Sequence, residues 1–152
     1  MIKKHCKLLA LGLIALSAVA LAPAAQPVYA KGISGWHCND YGEWTYVNAW
    51  FDDVTGWQQI GGNWYYFRGD GVMETGWRLY GHWYDLGSDG AMRTGWVKDD
   101  GDWYYLGGDG AMRTGWQCVS GSWYYLFPSS GRMASDCYID GYHLNSSGAW
   151  DY

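Results

Sequence analysis

Short, mostly aromatic apolar runs recur along this chain, each bounded by clusters of glycine and aspartate. From Thr94 the order is Thr-Gly-Trp, then Val97-Lys98, then Asp99-Asp100-Gly101-Asp102. The run Trp103-Tyr104-Tyr105-Leu106 follows, and Gly107-Gly108-Asp109-Gly110 and Ala111-Met112-Arg113 close the block. β-Branched and aromatic runs between such punctuation predict strands. Asp-Gly at the centre predicts a tight hairpin turn, because glycine takes positive φ at no steric cost and aspartate tolerates it. Each block therefore reads as one β-hairpin plus a connecting stretch. Outside the N-terminal segment, no apolar residues repeat at helical spacing.

The block is reiterated nearly word for word. Its opening tryptophan stands at 57, 77, 96 and 116, a period of about 20 residues. Such self-similarity marks a repeat architecture in which each unit packs on its neighbours. A lone hairpin is marginal in water, so stacking must supply its second layer. Six units are expected, opening at Trp36, Trp57, Trp77, Trp96, Trp116 and Cys137, with the end units imperfect. The predicted fold is all-β: a rod-like solenoid of stacked β-hairpins, with a helical twist.

Residues 1–30 read differently. Lys3, Lys4 and Lys7 precede an apolar stretch from Leu8 to Leu21, Pro23 and Pro27 interrupt it, and Val28-Tyr29-Ala30 offers a small-x-small end. That layout predicts a secretory signal peptide cleaved after Ala30, leaving 31–152 as the repeat domain. The run is short for a membrane span, which needs about 20 residues; an uncleaved anchor is the other reading. Removing the leader leaves seven basic residues against fifteen acidic ones, a formal charge of −8. The remaining cations (Lys31, Arg68, Arg78, Arg93, Lys98, Arg113, Arg132) form no stripe, which argues against nucleic acid. An acidic, aromatic surface suits a cationic or carbohydrate ligand. Cys38, Cys118 and Cys137 make an odd count; a Cys118–Cys137 bridge and plain thiols both remain open, and no spacing suggests a metal site.

Alternation along the second strand places Trp103 and Tyr105 on one face and Tyr104 on the other. The opening tryptophan is expected across the hairpin from the second one. The two are separated by seven residues in most blocks, by six between Trp77 and Trp83, and by eight between Trp36 and Trp44. Three aromatic faces around a void form a cage for a quaternary ammonium ion, which has no hydrogen-bond donor to satisfy.

The unit Thr-Gly-Trp, Gly-x-Trp-Tyr-Tyr-Leu, Asp-Gly-Ala-Met resembles the choline-binding repeat of Gram-positive cell-surface proteins, from about Ser34 to Trp150. The resemblance implies stacked hairpins that hold choline between consecutive units, with two aromatics from one hairpin, a third from the next and a methionine nearby. The implied ligand is phosphocholine on teichoic or lipoteichoic acid. It implies no cofactor.

The end units indicate which tyrosine crosses to a neighbour. The first unit has Thr45 in place of the middle tyrosine; the last lacks both tryptophans, with Cys137 and Gly141 in their places, but keeps Tyr142. A unit therefore lends two tryptophans to the site after it and its middle tyrosine to the site before it. Five sites follow: Trp36, Trp44 and Tyr65; Trp57, Trp64 and Tyr84; Trp77, Trp83 and Tyr104; Trp96, Trp103 and Tyr124; Trp116, Trp123 and Tyr142. Met73, Met92, Met112 and Met133 are supporting candidates, and Trp150 takes the methionine position in the last unit. Tyr46, Tyr66, Tyr105 and Tyr125 are expected to pack only. The short turn from Arg78 to His82 is expected to shift one wall of the third site. Asp85, which replaces an outer tyrosine, is expected beside the second site, and the Asp99–Asp102 turn is expected to be solvated.

The histidines share no nucleophile or carboxylate pattern and nothing outside the repeats is large enough for a catalytic domain, so a non-enzymatic binding module is expected. The expected location is secreted and wall-associated. Glucan binding and a surface interaction scaffold are the competing functions, since aromatics also stack on sugars; oligomeric state stays open.

Overall fold

The computed structural model describes residues 33–151; the expected leader at 1–30 lies outside them. The described residues are all-β, with twelve strands in six antiparallel pairs. The hairpins are β1 (Gly35–Cys38) with β2 (Trp44–Val47), β3 (Gly56–Ile60) with β4 (Asn63–Phe67), and β5 (Gly76–Tyr80) with β6 (His82–Leu86). They continue with β7 (Gly95–Asp99) and β8 (Asp102–Leu106), β9 (Gly115–Val119) and β10 (Ser122–Leu126), and β11 (Cys137–Ile139) and β12 (Tyr142–Leu144).

The turns follow from local chemistry. Asp100-Gly101, Ser120-Gly121 and Asp140-Gly141 take positive φ at both positions, as do Gly61 and Gly62. That conformation matches the right-handed twist of the flanking strands. Gly81 alone turns the third hairpin, between paired Tyr80 and His82. In the first hairpin Asn39 organises a longer turn, its Oδ1 accepting from the amides of Tyr41 and Glu43 at 3.0 and 2.9 Å.

The cross-strand register corrects one expectation. Opening tryptophans face the third residue of the partner run, not the second tryptophan: Trp36 faces Tyr46, Trp77 faces Asp85, Trp96 faces Tyr105 and Trp116 faces Tyr125. The two tryptophans are diagonal neighbours on one face. The first and third hairpins keep this register, so the turn absorbs the difference in length between the strands. The last hairpin is shorter, with Cys137 across from Leu144 and Tyr138 across from His143. By register Tyr138, not Cys137, stands where the opening tryptophan stands elsewhere. Its ring meets that of His143 at 4.9 Å. Cys118 and Cys137 are not bridged.

After each hairpin the chain turns back and pairs one residue with the end of the second strand, as Leu86 with Met92, Leu106 with Met112, Leu126 with Met133 and Leu144 with Trp150. Phe67, Leu86, Leu106, Leu126 and Leu144, one from each hairpin after the first, have no exposed surface. Burying each such side chain contributes about 1.5–3 kcal/mol.

The described chain divides into two compact units. The first comprises the residues up to Gly56 and Phe67–Met73; the second comprises Trp57–Tyr66 and Glu74 onward. In the first, the Met73 amide donates to the Trp44 carbonyl at 2.7 Å, and Trp36 packs on Phe67 at 5.8 Å. In the second, the same backbone bond joins successive hairpins at 2.8 Å: Met92 to Trp64, Met112 to Trp83, Met133 to Trp103 and Trp150 to Trp123. The Met92 thioether lies over Gly110, Met112 over Gly131 and Met133 over Gly148, each so close that a Cβ there would sit 2.3–2.4 Å from a methionine atom.

Candidate functional site

The last predicted site encloses a cavity. Trp116, Trp123, Tyr142 and Trp150 line a cavity of about 290 Å³. β9 supplies Trp116, β10 supplies Trp123, β12 supplies Tyr142, and the returning segment supplies Trp150 through its bond to the Trp123 carbonyl. Trp116 and Tyr142 meet edge-on at 5.6 Å, as do Tyr142 and Trp150 at 5.1 Å. Perpendicular rings leave neighbouring faces open toward a common space, the arrangement a cation needs. Trp123 and Tyr142 remain 42% and 47% exposed, so the cavity communicates with solvent.

The same geometry recurs within the second unit. Trp57 meets Tyr84 at 4.9 Å, Trp77 meets Tyr104 at 5.1 Å, and Trp96 meets Tyr124 at 4.8 Å, all edge-on and each from one hairpin to the next. Trp96 also meets Trp103 at 6.4 Å and 90°. Trp64, Trp83 and Trp103 are 41%, 44% and 40% exposed, like Trp123. Four predicted trios thus lie in one unit with the cross-hairpin tyrosine against the opening tryptophan. Of the first trio, Trp36 and Trp44 meet edge-on at 6.4 Å in the first unit, whereas Tyr65 belongs to the second.

The outer tyrosines lie against the opening tryptophans. Tyr46, Tyr66, Tyr105 and Tyr125 contact the opening tryptophan of their own hairpin at 5.0–5.3 Å. The methionines have a role the sequence did not disclose: their amides pin the preceding second tryptophan, and three of their side chains fill the hollow over the following glycine.

Four side chains depart from expectation or make contacts the sequence did not show. Tyr80, at the end of β5, stacks on Tyr66 at 3.8 Å and meets Trp57 at 6.1 Å, adding a ring beside the second trio. The one-residue turn after it was the only cue. Asp85 is 5% exposed and opposite Trp77, so it belongs beside the third trio and is not solvated. Burial pushes its carboxyl above the ordinary value, against the opposing pull of Arg93, whose guanidinium donates to it at 3.2 Å. The Asp99–Gly101 stretch is exposed, as expected of a solvated turn, but two of the turn's carboxylates also have partners: Asp99 accepts from the Trp77 indole N–H at 3.0 Å and Asp102 pairs with Arg132 at 2.8 Å.

Hairpins that present an aromatic trio at each of four successive junctions of the second unit define a ligand-binding repeat module. The choline-binding repeat model matches residues 54–94 and 93–138, more than half of the chain. The chain belongs to the choline-binding repeat family. It is similar to choline binding protein F from Streptococcus pneumoniae, at 42% identity and a TM-score of 0.74 over 79% of this chain and 41% of that one. The same protein has also been solved in complex with ipratropium. The modular autolysin LytC from Streptococcus pneumoniae is 33% identical over 78% of this chain and 28% of its own, with a TM-score of 0.65. The modular Cpl-1 endolysin, solved with a peptidoglycan analogue, is 34% identical over 78% and 37%, with a TM-score of 0.56. The chain thus spans about two-fifths or less of the length of these relatives. No curated protein matches it by sequence.

Proposed function

We propose that the protein attaches non-covalently to choline-bearing polymers of the Gram-positive cell wall, teichoic or lipoteichoic acid, through choline held in the aromatic trios between consecutive hairpins. The observation that carries this reading is the cavity lined by Trp116, Trp123, Tyr142 and Trp150. At about 290 Å³ it matches the small end of ligand pockets, and its lining is wholly aromatic. A methylated ammonium gains about 0.5–2 kcal/mol per ring face and leaves no donor unsatisfied. One cage is therefore a weak site, and repetition along a polymer converts weak sites into firm attachment. The family membership and the solved relatives support the same ligand class. The module acts by binding and without catalysis, on a secreted, surface-held protein.

The test is titration of the protein with choline, followed by tryptophan fluorescence and thermal melting, with dextran in parallel. A saturable response in the millimolar range and a rising melting temperature are expected. The response should fall in a folded Trp96→Ala/Trp103→Ala variant. Silence toward choline in a folded sample would reduce the tryptophans to packing. A response to dextran that free choline does not compete would transfer the function to glucan binding.

A further inference from the structure

Equivalent positions around the trios differ in one respect that bears on selectivity. The residue that ends the first strand of a hairpin is Ile60, Tyr80, Asp99 or Val119 in the four regular hairpins. Tyr80 and Asp99 both reach back to the opening tryptophan of the preceding hairpin: Tyr80 lies against the ring of Trp57 at 6.1 Å, and Asp99 accepts from the Trp77 indole N–H at 3.0 Å. Only Asp99 carries a charge. Its Oδ2 is committed to the indole, which orients the carboxylate at the ring's edge, and the residue is exposed. The hydrogen bond also draws electron density into the indole, which strengthens the face that a cation meets.

The other charges around the third trio do not cancel this one. Asp85, across the strand from Trp77, is held by Arg93 at 3.2 Å, and Asp102 is held by Arg132 at 2.8 Å. Asp100 occupies the turn itself, at positive φ. Arg78 is turned to Glu74 and to the Trp77 carbonyl, on the backbone side of the ring. The field of Asp99 reaches both flanks of the trio. After burial and the pull of Arg93, it is a further cause that raises the Asp85 carboxyl; after burial and Asp102, it adds to the rise of the Tyr104 phenol.

We propose that the trio Trp77, Trp83 and Tyr104 is a cation site of different selectivity from its neighbours, in which Asp99 admits ammonium ions bearing N–H donors, such as protonated primary amines, alongside quaternary ones. This rests on the reading of the trios as ammonium sites. A primary ammonium in a purely aromatic cage leaves its donors without acceptors, which is costly once water is displaced. At this site the second oxygen of Asp99 can accept them. A quaternary ion makes no such bond and gains only the weaker, screened attraction of the charge.

The experiment is nuclear magnetic resonance of the tryptophan indole N–H groups in the full chain, titrated separately with choline and ethanolamine. The Trp77 signal is assigned by its loss in Trp77→Phe. Ethanolamine should shift the Trp77 signal at concentrations about fivefold lower than any other indole, the size of an exposed charge-pair effect. Raised salt should erase much of that preference. Asp99→Asn, which keeps an acceptor for the indole, should bring Trp77 level with the rest while choline still shifts it. Choline shifts without any ethanolamine preference at Trp77, or a preference that survives Asp99→Asn, would overturn this proposal and leave the choline reading standing. An ethanolamine response at Trp77 with no choline response anywhere would overturn both, since this site is proposed to take quaternary ions as well. Silence toward both ligands would overturn both.

Discussion

Replacing Gly110 by alanine tests how the hairpins are held together. Gly110 has φ of +78°, and a Cβ there would lie 2.3 Å from Met92 Sδ, 2.7 Å from its Cε and 2.8 Å from its Cγ. Two costs follow. The left-handed backbone costs an L-residue about 1–2 kcal/mol. Three methionine atoms must also move, and overpacking of this kind costs about 1–3 kcal/mol. Gly115 separates the two, because its φ is +72° and a Cβ there would meet nothing within 4 Å. Gly115→Ala should therefore lower stability by about 1–2 kcal/mol and Gly110→Ala by about 2–5 kcal/mol. The excess should vanish when Met92→Ala is combined with Gly110→Ala, since the alanine then occupies the space that the thioether leaves. Urea unfolding followed by circular dichroism, on the four proteins of the cycle, measures the coupling. The Met92 amide also holds the Trp64 carbonyl at 2.8 Å, so the single variant should weaken ligand response at Trp64 as well. Equal costs for Gly110→Ala and Gly115→Ala, or strict additivity with Met92→Ala, would refute the account of methionine packing.

Three further outcomes are expected. Tyr142→Ala removes one ring from the cavity of Trp116, Trp123 and Trp150, and should weaken choline there by about 0.5–2 kcal/mol in a titration read at Trp116, with little change in melting because Tyr142 is 47% exposed. Leu106→Ala empties a site with no exposed surface and should cost about 2–5 kcal/mol in denaturant unfolding, whereas Leu79→Ala, at a 58% exposed residue, should stay within about 0.5 kcal/mol. Asp85 has a folded pKa raised above the ordinary 3.8, so the fold takes up its proton more readily than the unfolded chain does. Its contribution is therefore fully present below the unfolded value and is lost as pH rises through the folded one. Asp85→Asn should remove that loss: the stability of the variant relative to the wild type should increase as pH is raised from about 4 toward neutrality, as melting curves across that range would show.

Much of this protein was legible in its sequence, for identifiable reasons. Trp-Tyr-Tyr-Leu between glycine and aspartate clusters has few options other than a strand, and Asp-Gly or Ser-Gly at its edge selects a two-residue turn. Repetition then extends one decoded unit to the whole described chain. The parity of the strand separates Trp103 and Tyr105 from Tyr104, and the substitutions in the end units, Thr45 and Tyr142, indicate which tyrosine faces a neighbour. These properties depend on residues close in sequence, where backbone sterics and period-2 geometry decide.

Register, reach and hollow space were decided only by the tertiary structure. Whether Trp96 faces Trp103 or Tyr105 depends on how the turn closes, and the structure pairs it with Tyr105. That Asp99 grips Trp77, that Tyr80 stacks on Tyr66 and that Met92 fills the space over Gly110 depends on the stacking of one hairpin upon the next. Those contacts span 14 to 22 residues of sequence and leave no local pattern. A glycine reads in sequence as freedom for a turn. Only the packed neighbour shows that the missing Cβ is also the room in which the preceding repeat is seated.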